Sequence, residues 1–429
     1  MIANEIPGIA NSVWTATANP TPDFPALRGR AETDVAVIGG GYTGLSAALH
    51  LAERGVSVTL LESETPGWGA SGRNGGQVNP GLKEDPDTVR VRFGVEMGER
   101  MIAMSGASGD LVADLVRRHG IDCGFAQKGW VQPIHDDAAM KTVSERVAQW
   151  TRRDAPMRLL SRDEAADILG STAYQGAMID ERGGKLHPLN YAIGLARAAR
   201  DAGAVLHSHS RVSEIRRDGA GSTIVTAEGQ LSARRVLVCT NAYTGDPTPR
   251  LARTQVPVRS IQVATDPLGD DLRRSILPRG HSASDSRRLL LYFRFDDEGR
   301  FLIGGRGDYS ERGVERQFAA LRRAAAVIYP QLADIEWRYA WGGFVSITTD
   351  HYPHLHRLSD NAMTALGYMG RGVAMATAMG RELADWAAGT PAEELNFPVT
   401  PMRPIPFHFL RKPAVAAAVT WARFRDVWG

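Results

Sequence analysis

A chain of 429 residues is too long for one simple core and implies two domains. Hydrophobic residues at 43% and charged residues at 23% are the proportions of an ordinary globular protein, and a net charge of +2 with arginines interspersed among acids gives no footing for a nucleic-acid partner. Cys123 and Cys239 are far apart in sequence and suggest no disulfide framework. Residues 1–14 lack the basic start and apolar core of a secretory signal, and no apolar run reaches bilayer length, so a cytoplasmic location is expected.

Residues 1–30, rich in Pro, Ala and Thr, read as an arm on the surface with Trp14 as its anchor. Residues 34–38 are an apolar, β-branched run that predicts a buried parallel strand, and it leads directly into Gly39, Gly41 and Gly44 at G-x-G-x-x-G spacing, with Tyr42 and Thr43 inside the turn. Gly39 permits the tight turn, Gly41 lets backbone approach a pyrophosphate, and Gly44 lets the next helix pack closely on the sheet. That helix, about 45–54, offers unpaired N–H groups and a positive dipole end to phosphates. A second strand, 56–61, ends on Glu62, followed by Ser63, and places the Glu62 carboxylate to take ribose hydroxyls. A glycine motif alone would be weak; strand, turn, helix, strand and terminal acid together predict a dinucleotide site rather than a bare glycine turn.

A second glycine-rich loop completes the segment 31–85. Helical patterns then cover 93–118 and 138–153, and Ser161 with Glu164 at capping-box spacing announces a short helix. A helix over 189–202 precedes extended runs at 205–215 and 224–227 and a buried strand at 235–239 that ends in Thr240, Asn241 and Ala242, a return to the nucleotide unit. Strand patterns dominate 256–306 and predict a mainly antiparallel sheet, followed by a helix over 315–329. Residues 362–386 are again strand, glycine loop and helix, the glycines being Gly367, Gly370 and Gly372.

The loop Gly69-Ala70-Ser71-Gly72-Arg73-Asn74-Gly75-Gly76-Gln77 resembles the flavin-contacting loop of the D-amino-acid-oxidase-like superfamily of FAD-dependent amine oxidoreductases, and within it the chain is most similar to the γ-glutamylputrescine oxidase group. The resemblance runs over about 12–388 and includes 187–199 and 367–380. It implies an α/β fold: a Rossmann-type FAD-binding domain, discontinuous over 31–85, 175–245 and 340–390, with a second α+β substrate domain on a mainly antiparallel sheet over 86–174 and 246–339, and a tail at 391–429. By the same resemblance residues 39–44 hold the FAD pyrophosphate, Glu62 the adenosine ribose, and the backbone of Val212 the adenine, while Thr240 and Asn241 end a strand beside the cofactor. Ala70 to Gln77 run along the ribityl chain and isoalloxazine, and Gly370, Arg371, Gly372 and Val373 approach the pyrimidine end of the flavin. A helix starting at Gly372 would aim its positive end at the charge a reduced flavin carries near N1, with Arg371 adding to the field; the alternative is that these glycines only cap a packing helix. The position matching the cysteine that attaches FAD in some relatives falls on or near Gly343, so FAD is expected to be non-covalent. Where other relatives place a lysine for oxygen activation, Leu302 stands, which leaves O2 and a quinone both open as acceptors.

The resemblance implies oxidation of the C–N bond of an amine or amino acid to an imine by hydride transfer to flavin N5, with O2 giving H2O2. Its alternatives are a membrane-associated amine or D-amino-acid dehydrogenase that reduces a quinone, and a non-catalytic flavin-binding protein. The substrate is a small molecule, and the protein's tasks are to orient it and exclude water. Strand alternation sends Tyr292 and Arg294 to one side, a candidate pocket wall, with Arg306 as a second grip for a carboxylate; each arginine taken alone reads more readily as a surface ion pair. Trp341, Trp68 and Phe344 read as an apolar cage or plain packing, and His351 as a pocket-edge residue. No metal is expected, because His351, His354 and His356 sit in an irregular loop without an HExxH pattern or a cysteine partner. His207 and His209 are expected on one strand face. The stretch 410–428 reads as an amphipathic helix that packs on its own protein in preference to a membrane.

Overall fold

The computed structural model describes residues 12–307 and 314–428, with the side chains at 420 and 422–428 outside the description. Among the described residues two large sheets organise the chain. At the centre of the first lies Gly29–Ile38, parallel to Gly229–Val238 on one side and to Val58–Leu61 on the other, so that Val37 stands between Leu237 and Leu60. Val205–His207 and Ala362–Leu366 extend the parallel order at the two flanks. Alternation along the central strand is directly visible in the packing. Val35, Val37 and Leu60 enter one core with Leu45, Leu49, Tyr191 and Met379, whereas Ala36, Ile38 and Leu61 enter another with Ile224, Val236 and Val238. Helices Tyr42–Ala52, Pro188–Asp201 and Gly372–Ala388 supply the first of these cores. Gly380 lets two of them touch, since a β-carbon there would lie 2.5 Å from the carbonyl of Thr43.

The second sheet runs Trp337–Ile347, Val256–Pro267, Arg300–Arg306, Tyr292–Phe295, Ser282–Ser284, Trp130–Ile134, Gly176–Asp180, Met157–Leu160. Its neighbours are antiparallel except where Ser282–Ser284 meets Trp130–Ile134. One face carries Phe293, Phe301, Ile303 and Val263 against helices Val314–Ile328 and Arg162–Leu169, the latter started by the Ser161–Glu164 capping box. The opposite face, with Tyr292, Arg294 and Gln262, turns toward the 69–77 loop.

Several boundaries differ from expectation. The helical pattern expected over 93–118 is two helices, Val95–Gly106 and Ser108–Arg118, with a further helix Pro86–Phe93 before them; the break between Pro86–Phe93 and Val95–Gly106 falls at Gly94, whose φ of +79° no helix tolerates. These helices bury Met101, Ile102, Val112 and Leu115 in the core of the parallel sheet and not in that of the second one. Residues 176–180 and 340–347, assigned above to the nucleotide unit, are strands of the second sheet, and Val399–Thr400 of the tail pairs at the edge of the first. The run expected at 205–215 is interrupted: His209 has φ +51° and lies beyond the strand that holds His207. In the tail helix Arg411–Trp428, Val419 is buried while Trp421 is exposed, as are Phe409 and Leu410 just before or at its start; Arg423, Phe424, Arg425 and Val427 lie outside the described side chains, as residues 1–11 of the arm lie outside the described residues. No helix among the described residues is long and apolar enough to cross a membrane.

Trp14 is fully buried at the start of the described arm. Its indole N–H donates to the carbonyl of Asn74 at 2.9 Å, its ring meets His187 and Trp341 edge-on, and the Arg294 guanidinium lies over it at 5.0 Å. Replacement by alanine leaves a cavity and an unpaired carbonyl together, so Trp14→Ala is expected to lower stability by about 3–5 kcal/mol in urea unfolding. A loss below about 1 kcal/mol would show that the arm is not an anchor.

Candidate functional site

The turn after the central strand is shaped by backbone contacts that exclude a side chain. Gly39 has φ +109°, and a β-carbon on it would meet the carbonyl of Cys239 at 2.8 Å; on Gly44 it would lie 2.0 Å from the carbonyl of Gly39. Helix Tyr42–Ala52 starts from Gly41 with no side-chain cap, so the turn presents backbone N–H groups, that of Tyr42 donating to Ser71 Oγ at 3.0 Å. Glu62 is buried at the end of the neighbouring strand and accepts from the N–H groups of Gly40 (2.6 Å) and Glu64 (2.9 Å) and from the Ser63 hydroxyl (3.1 Å). Burial pushes its carboxyl pKa up, opposed by those N–H donors.

The 69–77 loop is half-buried between the two sheets, with Gly72, Arg73 and Gly76 fully buried, and its carbonyls are taken one after another by side chains. Tyr42 donates its hydroxyl to the carbonyl of Ser71 (2.6 Å), Gln262 and Trp341 donate to that of Arg73 (2.6 and 3.0 Å), Trp14 to that of Asn74, and Arg294 Nε to that of Gly75 (2.6 Å). Two of the expected pocket residues are corrected here. Arg294 also donates to the carbonyls of Leu186 (2.7 Å) and Phe295 (3.1 Å), and Trp341 is spent on Arg73; both are buried and neither lines the cavity. Alternation places Arg294 on the same side as Tyr292, yet what it meets there is loop backbone.

A cavity of about 860 Å³ begins at the turn, passes the loop and opens against the second sheet. Tyr292 lines it, its hydroxyl 2.8 Å from Ser260 Oγ, as does His351, whose Nδ1 lies 3.0 Å from Glu84. The residues expected at the cofactor line it as well, from the turn, Glu62, Ser63, the loop, Val212, Thr240, Asn241, Gly343 and 370–373, except Gly40, Gly44, Gly72 and Gly76, which pack on other parts of the chain. Trp68 and Phe344 are on the wall. Helix Gly372–Ala388 starts from Arg371 without a side-chain cap, and no atom lies within 4 Å of a β-carbon placed on Gly370, so the helix start is open to the cavity. Burial and the neighbouring Arg146 pull the Arg371 pKa down to about 10.

Sequence reasoning missed Gln262, Lys83, Arg146, Gln132 and His135, all on the cavity wall. Gln262 had a signal: it stands on the same face as Ser260 two residues earlier in a strand of the expected sheet. Its Oε1 is buried and, among the described residues, accepts no hydrogen bond. Lys83 sits in a bend between short elements and has no periodicity to mark it. No group of three His, Cys, Asp or Glu side chains suited to a metal occurs among the described residues.

Comparison with known proteins bears on this geometry. The model of the FAD dependent oxidoreductase family, DAO, matches residues 34–386. The chain belongs to this family of FAD-dependent oxidoreductases. It is 33% identical over 422 residues to the gamma-glutamylputrescine oxidoreductase of Escherichia coli (strain K12), covering 98% of this chain and 99% of that protein. It is 35% identical over 422 residues to the probable oxidoreductase OrdL of Rhizobium meliloti (strain 1021), covering 97% of each. Among solved structures, glycine oxidase from Geobacillus kaustophilus superposes with a TM-score of 0.70 at 23% identity, over 86% of this chain and 99% of that one.

The cavity fits FAD: glycines without room for a side chain at the turn, a buried carboxylate beside them, and two uncapped helix starts on the wall. Glu62→Ala is expected to weaken FAD binding by about 10–100-fold in a fluorescence titration of apoprotein, the worth of one or two charge-assisted hydrogen bonds; unchanged affinity contradicts a ribose role. Arg294→Met leaves the carbonyls of Gly75 and Leu186 without their side-chain donor, that of Phe295 keeping Lys185, and is expected to lower thermal stability and FAD retention together, while a change confined to KM would return Arg294 to the substrate.

Proposed function

We propose that this FAD-dependent oxidoreductase oxidises the C–N bond of an amine or amino acid to an imine, with O2 as the electron acceptor and H2O2 as its product, and that FAD is held non-covalently. The observation that carries the reading is the continuity of the cavity: it runs from the nucleotide turn past the 69–77 loop into a chamber walled by Tyr292, Gln262 and Ser260 of the second sheet. Bound FAD supplies a hydride acceptor at N5, and the imine released is hydrolysed by water. The names of relatives support the class, since a gamma-glutamylputrescine oxidoreductase and glycine oxidases are among them.

The chain's own residues orient and shield. Burial raises the Tyr292 phenol pKa, so at neutral pH it stays protonated, tied to Ser260. It is a positioning group and a wall, not a base. The unpartnered Oε1 of Gln262 is an acceptor for an N–H group of a bound molecule, held in place by the bond from Gln262 Nε2 to the loop. Gly343 lies against the Arg73 side chain, where a β-carbon would come within 3.0 Å, and this supports a non-covalent cofactor at that point.

A panel of primary and secondary amines and amino acids, mixed anaerobically with the yellow protein, is expected to contain at least one member that bleaches the flavin within seconds. Air should then restore the colour with stoichiometric peroxide. If no amine bleaches bound flavin the catalytic reading fails. Fast dye reduction with negligible O2 uptake would replace the oxidase by a dehydrogenase.

A further inference from the structure

Hydride transfer from an amine requires its neutral form, and an alkyl amine with a pKa near that of lysine, about 10.4, is neutral in only roughly one molecule in a few thousand at pH 7. A proton must therefore leave the amine before the C–N bond is oxidised. Tyr292 and Gln262, which wall the chamber, offer no place for it: the phenol keeps its own proton and an amide takes none.

Further along the same wall, two short segments bring a serine, a histidine and an aspartate into one hydrogen-bonded line. Ser286 Oγ lies 2.7 Å from His135 Nδ1, and His135 Nε2 lies 3.0 Å from Asp136 Oδ2. The surrounding backbone holds all three. Asp136 is the N-cap of helix Asp137–Thr151 and accepts the N–H of Ala139 on Oδ1 at 2.7 Å, which leaves Oδ2 to the imidazole. Ser286 continues the pairing of strand Ser282–Ser284 with strand Trp130–Ile134, donating its N–H to the carbonyl of Pro133 at 3.0 Å, and its hydroxyl oxygen accepts the N–H of His135 at 3.1 Å. The partners decide the tautomer. A carboxylate only accepts, so His135 carries its proton on Nε2; Nδ1 is then a bare acceptor, and the Ser286 hydroxyl, whose oxygen already takes a backbone N–H, turns its own hydrogen to it. A hydroxyl on the cavity is thus joined to a base whose protonated form a carboxylate stabilises.

The line connects the chamber with solvent. Ser284, two residues before Ser286, is the register partner of Tyr292, and the Tyr292 hydroxyl meets Ser260, so hydroxyl groups run along the wall from the chamber to Ser286. At the other end the Asp136 side chain is 41% exposed. The remaining charged side chains on the segments about His135 are Asp137, Lys141, Glu145 and Arg146 of the helix and Asp285, Arg287 and Arg288 of the loop after Ser284. Asp285 is bound to Arg287 and Arg146 to Asp85, and Asp136 is the charge that touches the ring. A second histidine of the wall, His351, also meets a carboxylate, Glu84 at 3.0 Å, but its side chain is 52% exposed.

We propose that Ser286, His135 and Asp136 form the proton acceptor of the reaction. As an N–H bond of the substrate ammonium breaks, its proton passes to Ser286 Oγ while the hydroxyl's own proton passes to His135 Nδ1, so the serine is unchanged. The imidazolium is held by Asp136 and returns its proton to water between turnovers. No electron moves in this step, and the neutral amine left behind is the hydride donor. His135 acts through Ser286, and Asp136 is a positioning residue for His135. The assignment rests on the amine-oxidising reading.

The test follows flavin reduction. FAD-loaded wild type, His135→Gln, Ser286→Ala and His351→Gln are mixed anaerobically with the amine of the panel that bleaches wild type fastest, from about pH 6.5 to about pH 10. At pH 7 reduction is expected to slow by about 100-fold in His135→Gln and in Ser286→Ala, the worth of a positioned proton acceptor. The deficit should shrink as the pH nears the amine's own pKa, where the amine arrives neutral, and imidazole added to His135→Ala should recover part of the rate at pH 7. FAD content checks folding, and Ser286→Ala breaks the line without touching the ring should His135→Gln fail to accumulate. A deficit of the same size at every pH marks a structural role and overturns the assignment, as does a wild-type rate at pH 7 in either variant. A pH-dependent deficit in His351→Gln with none in His135→Gln overturns it too and moves the role to His351. If no amine reduces the wild-type flavin, the amine-oxidising reading and the proton acceptor fall together; a wild type that is reduced, with variants that match it, removes the acceptor alone.

Discussion

A loop can be held inside a fold only if its backbone polar groups find partners, and the 69–77 loop lies between two sheets with only part of its surface on the cavity. Its carbonyls are satisfied from outside: by Tyr42 of the nucleotide helix, by Gln262, Trp341 and Arg294 of the second sheet, and by Trp14 of the arm. Each bond fixes one carbonyl and also fastens the loop to a different part of the chain. The consequence is that the loop's other face is free for the cavity, in a position set by both sheets at once. A cofactor lying along it is held by the parallel sheet at one end and presented to the second sheet at the other. The shape of the site is thus set by hydrogen bonding at least as much as by apolar packing.

Electrostatics divides the same cavity. Near the central strand, backbone N–H groups and the start of helix Tyr42–Ala52 suit a pyrophosphate, and the Glu62 carboxylate beside them suits hydroxyl groups. Past the loop, the open start of helix Gly372–Ala388 and the basic side chains of four elements make the wall positive. A positive wall favours the arrival of negative charge on a neutral ring. The whole-chain charge of +2 conceals this because acids elsewhere compensate it.

What was legible in the sequence follows from range. The turn is local: strand, glycines, helix and Glu62 lie within 34–62, so spacing alone places them together. The second glycine loop and the helix after Gly372 were legible as loop and helix from local pattern, and a family likeness supplied the place of the 69–77 loop beside a flavin. Arg294 shows the limit of alternation, which tells which way a side chain points and not what it meets; two carbonyls from two distant segments, those of Gly75 and Leu186, accept from it. Strand membership across sheets was equally hidden, and Trp337–Ile347 reads as a continuation toward the glycine loop until its pairing with Val256–Pro267 is seen. Lys83 had no pattern at all, because its neighbours on the cavity wall, Arg146, Arg306 and Arg371, arrive from far along the chain.

The central claim is that the 69–77 loop and the glycine turn together build a single FAD site. Its most direct test is the stoichiometry of flavin in gently purified protein, measured by absorbance before and after denaturation and after supplementation with FAD. The account requires one FAD per chain, released intact on denaturation. Protein that carries no flavin and takes none up would contradict it.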